Sequence, residues 1–213
     1  MNPPSNPPVN PSLKETANAP SQKTPRHFAD YASRLQQVLA TADWSGVTRL
    51  AEDLRECWRL GRQVFICGNG GSAGNAIHLA NDFLYGIAKS AGPGLHVTAL
   101  PANSSVLTCL ANDLGYDQIF SYQLSVQARK DDVLIVLSGS GNSANIVKAL
   151  EQAAKTGVRT YAILGYSGGK AKAMADVAIH FAVDDMQISE DLQLVVGHMV
   201  MQWLYQNPPV GTR

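Results

Sequence analysis

A chain of 213 residues, 45% hydrophobic and 16% charged, is long enough to bury one sizeable core, and its length does not require two. Its 17 basic and 17 acidic side chains balance, which excludes the broad field of a nucleic-acid- or membrane-binding surface and points to a small molecule or another protein as partner. Cys57, Cys67 and Cys109 are odd in number and form no C-x-x-C pattern, which excludes a disulfide framework and a zinc knuckle and fits a reducing cytoplasm. No apolar run approaches the ~18 residues that span a bilayer, and the first residues lack the charged and apolar regions of a signal peptide.

Residues 1–26 carry seven of the eleven prolines among Asn, Ser, Thr and Lys, a composition that predicts a disordered tail. From His27 onward, to residue 213, a single domain is expected. Phe28, Tyr31, Leu35, Val38 and Leu39, and then Val47, Leu50, Leu54 and Trp58, recur at helical spacing and predict two amphipathic helices. These helices are expected either to cover a sheet face or to pair with a second subunit. Strands are expected at 64–67, 96–100, 133–137, 161–165 and 177–181. Helices are expected at 73–87, 104–112, 143–156, briefly near 170–175, and from about Asp191 to Tyr205. Strands that are apolar throughout, separated by helices, predict a three-layer α/β/α sandwich around a mainly parallel sheet.

Two strand-to-helix loops carry the chemistry. The first, Gly68-Asn69-Gly70-Gly71-Ser72-Ala73, satisfies the G-x-G-x-x-A pattern of a dinucleotide site. Such a site also needs an acidic residue about 20 positions on, and residues 83–112 contain neither Asp nor Glu. A P-loop needs a Lys after its last Gly, and none is present. A nucleotide cofactor is therefore not expected. The second loop, Ser138-Gly139-Ser140-Gly141-Asn142-Ser143, follows the apolar run VLIVL, and the two stretches echo each other, GNGGSAGN against SGSGNSAN. Glycine-freed amides, hydroxyl donors and a helix N-terminus make a cradle for one phosphate. The alternative is a pair of plain tight turns with Ser as helix cap.

The segments GNGGSAGNAIHLANDF, SSVLTCLANDLGYDQIF and VLIVLSGSGNSANIVKAL, with a last helix bearing His198, resemble the sugar isomerase (SIS) fold and its phosphoheptose isomerase branch over residues 30–206. That resemblance implies conversion of sedoheptulose 7-phosphate to D-glycero-D-manno-heptose 7-phosphate through an enediol or enediolate. It also implies a cytoplasmic homotetramer with active sites between subunits, and Zn²⁺ or another divalent ion. It places Asn69, Gly70, Gly71 and Ser72 against the substrate, Ser138, Gly139, Ser140 and Ser143 around the phosphate, and Asn112 and Asp113 near the sugar hydroxyls. His78, Asp82, Glu190 and His198 become metal ligands, with Asp82 and His198 as the proton-transfer pair. The chain departs from the family pattern at Asp82, where Glu is usual, at Glu190, where Gln is usual, and at Gly139, where Thr is commoner.

His78 and Asp82 stand four apart on one helix and face the same way. Glu190 and His198 are eight apart, ~12 Å along a regular helix, so Glu190 either precedes the last helix or one of the two serves a neighbouring subunit. A third possibility is that Glu190 and Asp191 stabilise the start of that helix. His180 and His96 are expected to be structural, and Gly165–Gly169 forms either one wall of the pocket or a plain turn. Two alternatives to the heptose isomerase remain: a non-catalytic binding module like the DnaA initiator-associating protein, or an isomerase or sensor for a different phosphosugar.

Overall fold

The computed structural model describes residues 26–89 and 92–209. The tail expectation for residues 1–26 lies outside them except for Arg26, which opens the first helix, α1 (Arg26–Thr41). The chain divides into two units, Met1–Gln37 and Val38–Arg213. Helix α1, an amphipathic helix with Phe28 exposed, begins in the first unit.

The second unit alternates helix and strand: α2 (Ser45–Leu60), β1 (Gln63–Gly68), α3 (Gly71–Leu84), β2 (His96–Ala99), α4 (Ser104–Asp113), α5 (Ser121–Gln127), β3 (Val133–Ser138), α6 (Ala144–Thr156), β4 (Arg159–Leu164), α7 (Gly169–Met174), β5 (Val177–His180) and α8 (Met186–Gln206). The five strands form one parallel sheet in the order β2-β1-β3-β4-β5. Every residue of β3 is buried, as expected for a strand covered on both faces. Phe65, Cys67, Leu134, Val136, Ala162 and Leu164 point to the side of α4–α7, where they pack on Leu110, Phe120, Leu124, Ile146 and Leu150. The intervening Val64, Ile66, Ile135, Tyr161 and Ile163 face α2, α3 and α8, and the Tyr161 hydroxyl donates to Asp53 of α2. Of the two leading helices, α2 covers the sheet through Leu50, Leu54 and Trp58.

The structure differs from the expected elements at three places. The helix expected over 73–87 ends at Leu84 and is followed by a separate 3₁₀ turn at Gly86–Ala88. The sequence Ser121–Gln127 forms α5, a short helix whose polar composition hides its buried Leu124. The last helix begins at Met186, because Asp185 caps it by accepting from the Ile188 amide at 3.1 Å. Glu190 and Asp191 therefore sit beyond its first turn and do not stabilise its start.

Helices α3 and α8 run side by side in the same direction, as helices on one face of a parallel sheet must. A β-carbon at Gly197 would stand 2.1 Å from Leu79 Cδ2, so the approach depends on a glycine there. Asn75 of α3 pins the pair by donating to the Glu190 carbonyl and to Gln193 Oε1, each at 3.0 Å. Substituting Gly197→Ala is expected to lower stability by about 1–3 kcal/mol through overpacking, read as a lower denaturation midpoint at unchanged slope.

Candidate active site

The strand order reverses between β1 and β3, and in such sheets ligands bind outside the carboxyl ends of the strands at this point. The loops after these two strands are the two singled out by sequence. In the first, Gly70 adopts φ 56° and ψ −121°, a conformation open to glycine, and it stands at the N-cap position of α3 with no side-chain cap. In the second, Ser138 Oγ accepts from the Gly141 amide at 3.0 Å and Ser140 Oγ from the Asn142 amide at 3.3 Å. A hydroxyl whose oxygen accepts from the backbone still has its own hydrogen to donate, so both serines keep a donor for an anion. Ser143 occupies the N-cap position of α6 without a capping hydrogen bond, whereas Asn103 and Asp185 do cap α4 and α8. The junctions at Gly70 and Ser143 are thus not side-chain-capped turns, as those of α2, α5 and α7 are not either.

The segment Gly165–Gly169 walls the second loop. Gly165 N donates to the Gly139 carbonyl at 3.0 Å, Ala171 N donates to the Gly141 carbonyl at 3.0 Å, and a β-carbon at Gly141 would stand 2.0 Å from the Gly168 carbonyl oxygen. At Gly139 the place of a β-carbon is taken by Met186, whose Sδ lies 2.6 Å from it. A Thr at that position would displace this thioether.

The two loops are tied to each other. Asn69 Nδ2 donates to Asn145 Oδ1 at 2.9 Å, and Asn145 Nδ2 donates back to Asn69 Oδ1 at 2.8 Å. The Tyr116 hydroxyl donates to the same Asn69 oxygen at 3.0 Å, which brings the turn after α4 against the first loop. Asn112 and Asp113, at the end of α4, are exposed, and Asp113 accepts from Asn112 Nδ2 at 2.7 Å. Asn145 and Tyr116 were not among the expected site residues. The echo of the two loops was the available signal for Asn145, which ends SGSGNSAN as Asn75 ends GNGGSAGN, and both of these asparagines tie elements together.

On α3 and α8, His78 Nε2 and His198 Nε2 face each other at 2.9 Å. Asp82 Oδ2 lies 3.4 Å from the first and 3.6 Å from the second. The carboxylate is 17% exposed and the imidazoles 49% and 47%, so the cluster has a covered side and an open one. These three residues offer donor atoms within 4.8 Å of one another. Two imidazole nitrogens and a carboxylate oxygen suit Zn²⁺ or a similar divalent ion, with a position left for water or substrate. Glu190, expected as a fourth ligand, does not join them within the chain. It lies two turns before His198, and its carboxylate packs on Gly71, where a β-carbon would stand 2.3 Å from Oε2.

His180 Nε2 pairs with the Tyr166 carbonyl at 2.9 Å, a structural role as expected. Cys67 is buried in β1 and burial pushes its thiol pKa far up, which removes it as a nucleophile beside the pocket.

Sheet order, loop geometry and the His/Asp cluster together define an α/β/α sandwich with two glycine- and serine-rich loops on its switch-point edge and a metal-competent cluster on the helices behind it. The SIS domain family model matches residues 27–165. The phosphoheptose isomerase of Chlorobaculum parvum is 38% identical over 176 residues, 81% of this chain and 83% of the relative. That of Akkermansia muciniphila is 38% identical over 174 residues, 78% and 92% of the two chains. The structure of a phosphoheptose isomerase from Neisseria gonorrhoeae superimposes with a TM-score of 0.77 at 29% identity, covering 85% of this chain and 96% of the other. One from Francisella tularensis gives 0.78 at 26% identity, covering 85% and 98%. The chain belongs to the SIS domain family, in its phosphoheptose isomerase branch.

Thiol accessibility offers a direct check on the site's surroundings. Cys57 and Cys67 are buried, and burial raises the Cys57 thiol to about 11, whereas Cys109 is exposed on α4. Titration of the native protein near neutral pH is expected to modify Cys109 alone, with the other two reacting only on unfolding.

Proposed function

We propose that this chain is an aldose–ketose isomerase that converts sedoheptulose 7-phosphate to D-glycero-D-manno-heptose 7-phosphate. The observation that carries the reading is the uncapped pair of loop–helix junctions at the switch point, backed by the His78–Asp82–His198 cluster on the adjacent helices. The two curated relatives described above, both phosphoheptose isomerases, support the same substrate and do not favour a non-catalytic binding module. We take residues 27–213 as one SIS domain, a reading supported by the family match that begins at residue 27.

The phosphate is held by the hydroxyls of Ser138, Ser140 and Ser143 and by the first amides of α6. Asn69, Gly70, Gly71 and Ser72 meet the sugar from the first loop, and Asn112 and Asp113 from the end of α4. His78, Asp82 and His198 would hold a divalent ion, which when bound supplies Lewis-acid polarisation of the sugar carbonyl. Asp82 turns Oδ2 to the histidines, and its other oxygen, Oδ1, accepts among the described residues only a long contact from Asn81 Nδ2 at 3.5 Å. That oxygen takes a proton from C1 of the ketose and returns it to C2. His198, whose Nε2 cannot hold the ion and carry a proton at once, protonates the oxygen on C2 when it is not a ligand and receives the proton leaving the oxygen on C1, so the enediol collapses to the aldose with no net gain or loss of protons. The shorter arm of Asp, against the family's usual Glu, still brings Oδ2 to 3.4 and 3.6 Å from the two imidazoles. A cytoplasmic location and a homotetramer complete the proposal, the half-exposed histidines being the part of the site a neighbouring subunit would cover. Among the described residues no helix is long and apolar enough to cross a membrane.

Proton NMR of the purified protein with sedoheptulose 7-phosphate is expected to show the anomeric signal of an aldose. Asp82→Asn and His198→Ala should each lower kcat by about 10²–10⁴-fold while the sugar phosphate still binds. A flat spectrum at high protein concentration, with binding intact, would exclude the heptose substrate.

Calorimetry with Zn²⁺ separates the ligands. His78→Ala and His198→Ala are each expected to weaken binding at least tenfold, and Glu190→Gln to leave it unchanged. Weakened binding in Glu190→Gln would mean that this carboxylate reaches the ion of another subunit.

A further inference from the structure

Asn145 is 2% exposed, and its side chain hydrogen-bonds a single partner among the described residues, the Asn69 amide, which it meets twice. Asn69 Oδ1 receives both Asn145 Nδ2 and the Tyr116 hydroxyl, which fills its two lone pairs. Asn69 Nδ2 spends one hydrogen on Asn145 Oδ1. Its second hydrogen has no partner among the described residues, and the planar amide directs it away from Asn145.

We infer that Asn145 is a positioning residue, which locks the Asn69 amide so that its second Nδ2 hydrogen is a preset donor to a hydroxyl of the bound sugar phosphate. Tyr116 selects the orientation. If both amides turned over together, their mutual bonds would survive, but the Tyr116 oxygen would then face Asn69 Nδ2 and absorb the hydrogen meant for the ligand. With Tyr116 donating to an oxygen that Asn145 also holds, the donor is aimed before the sugar arrives, and no side-chain ordering is left for the binding step. Asn145 thus acts on the ligand through Asn69, to which both of its side-chain hydrogen bonds go.

This role rests on the site being a phosphosugar site, and it is tested on binding as well as on turnover. Titrations of sedoheptulose 7-phosphate into wild type, Asn69→Ala, Asn145→Ala and the double variant close a double-mutant cycle. Each single variant is expected to weaken binding about tenfold, and the double variant no more than Asn69→Ala alone, because Asn145 acts only through Asn69. Tyr116→Phe, at an exposed position where the fold does not depend on the hydroxyl, should weaken binding about threefold in wild type and not at all in the Asn69→Ala background. Losses that multiply, or wild-type affinity in Asn145→Ala, would overturn the inference. Should Asn145→Ala not fold, the Tyr116→Phe pair decides, together with the two Asn69 Nδ2 proton resonances of the wild type. One of these should shift on adding the sugar phosphate while the other stays, and two unmoved resonances would overturn the inference. Binding without turnover would remove the isomerase reading and leave this one in place. Turnover with multiplying losses would do the reverse.

Discussion

The site depends on the parallel pairing of β1 with β3, in register from Val64 on Val133 to Gly68 on Leu137. Because the chain makes one crossover to the β2 side and then returns to the other flank of β1, the loops leaving β1 and β3 emerge side by side with nothing between them. Each leads into a helix, the first into α3 and the second into α6. Backbone hydrogen bonds along the strands thus set the spacing of the anion cradle, and the Asn69–Asn145 pair fastens the two loops at the point where strand pairing has stopped.

The His78–Asp82–His198 cluster is held by a different kind of force. His78 and Asp82 are fixed relative to each other by the pitch of α3, but His198 reaches them only because α3 and α8 approach closely at Gly197 and Leu79. Steric contact with a glycine, and the Asn75 bonds to Glu190 and Gln193, set that distance. The two halves meet along α3: its N-terminus, at Gly71, belongs to the cradle, and its middle, at His78 and Asp82, belongs to the cluster. Glu190 packs at the cradle end of the same helix, a carboxylate beside the first loop where a ligand to the ion had been expected.

Most of the fold was legible because fully buried strands and helical spacing leave clear marks. VLIVL and the Val47, Leu50, Leu54, Trp58 stripe needed no neighbour to be understood. Where the reading failed, the deciding interaction was not periodic. Helix α5 rests on a buried Leu124 in a polar heptapeptide, and α8 starts at a single Asp185 cap five residues ahead of the expected position, which in turn removed the helix-start role of Glu190. The resemblance to phosphoheptose isomerases carried the substrate class and the named site residues. Spacing alone carried only the anion cradle and the shared face of His78 and Asp82.

Local chemistry was written in the order of residues: glycines where the backbone must take a left-handed or crowded path, serines beside them, and a histidine and an aspartate one helical turn apart. These are short-range properties, set by φ/ψ limits and helix pitch, and they survive in any fold that contains the segment. The long-range pairings belong to packing alone. His78 with His198 is separated by 120 residues and Asn69 with Asn145 by 76, and nothing in either neighbourhood names the other. Those contacts exist because a twisted parallel sheet stacks its helices in an order the chain does not follow, so distances across it are determined by burial and close packing of all layers at once.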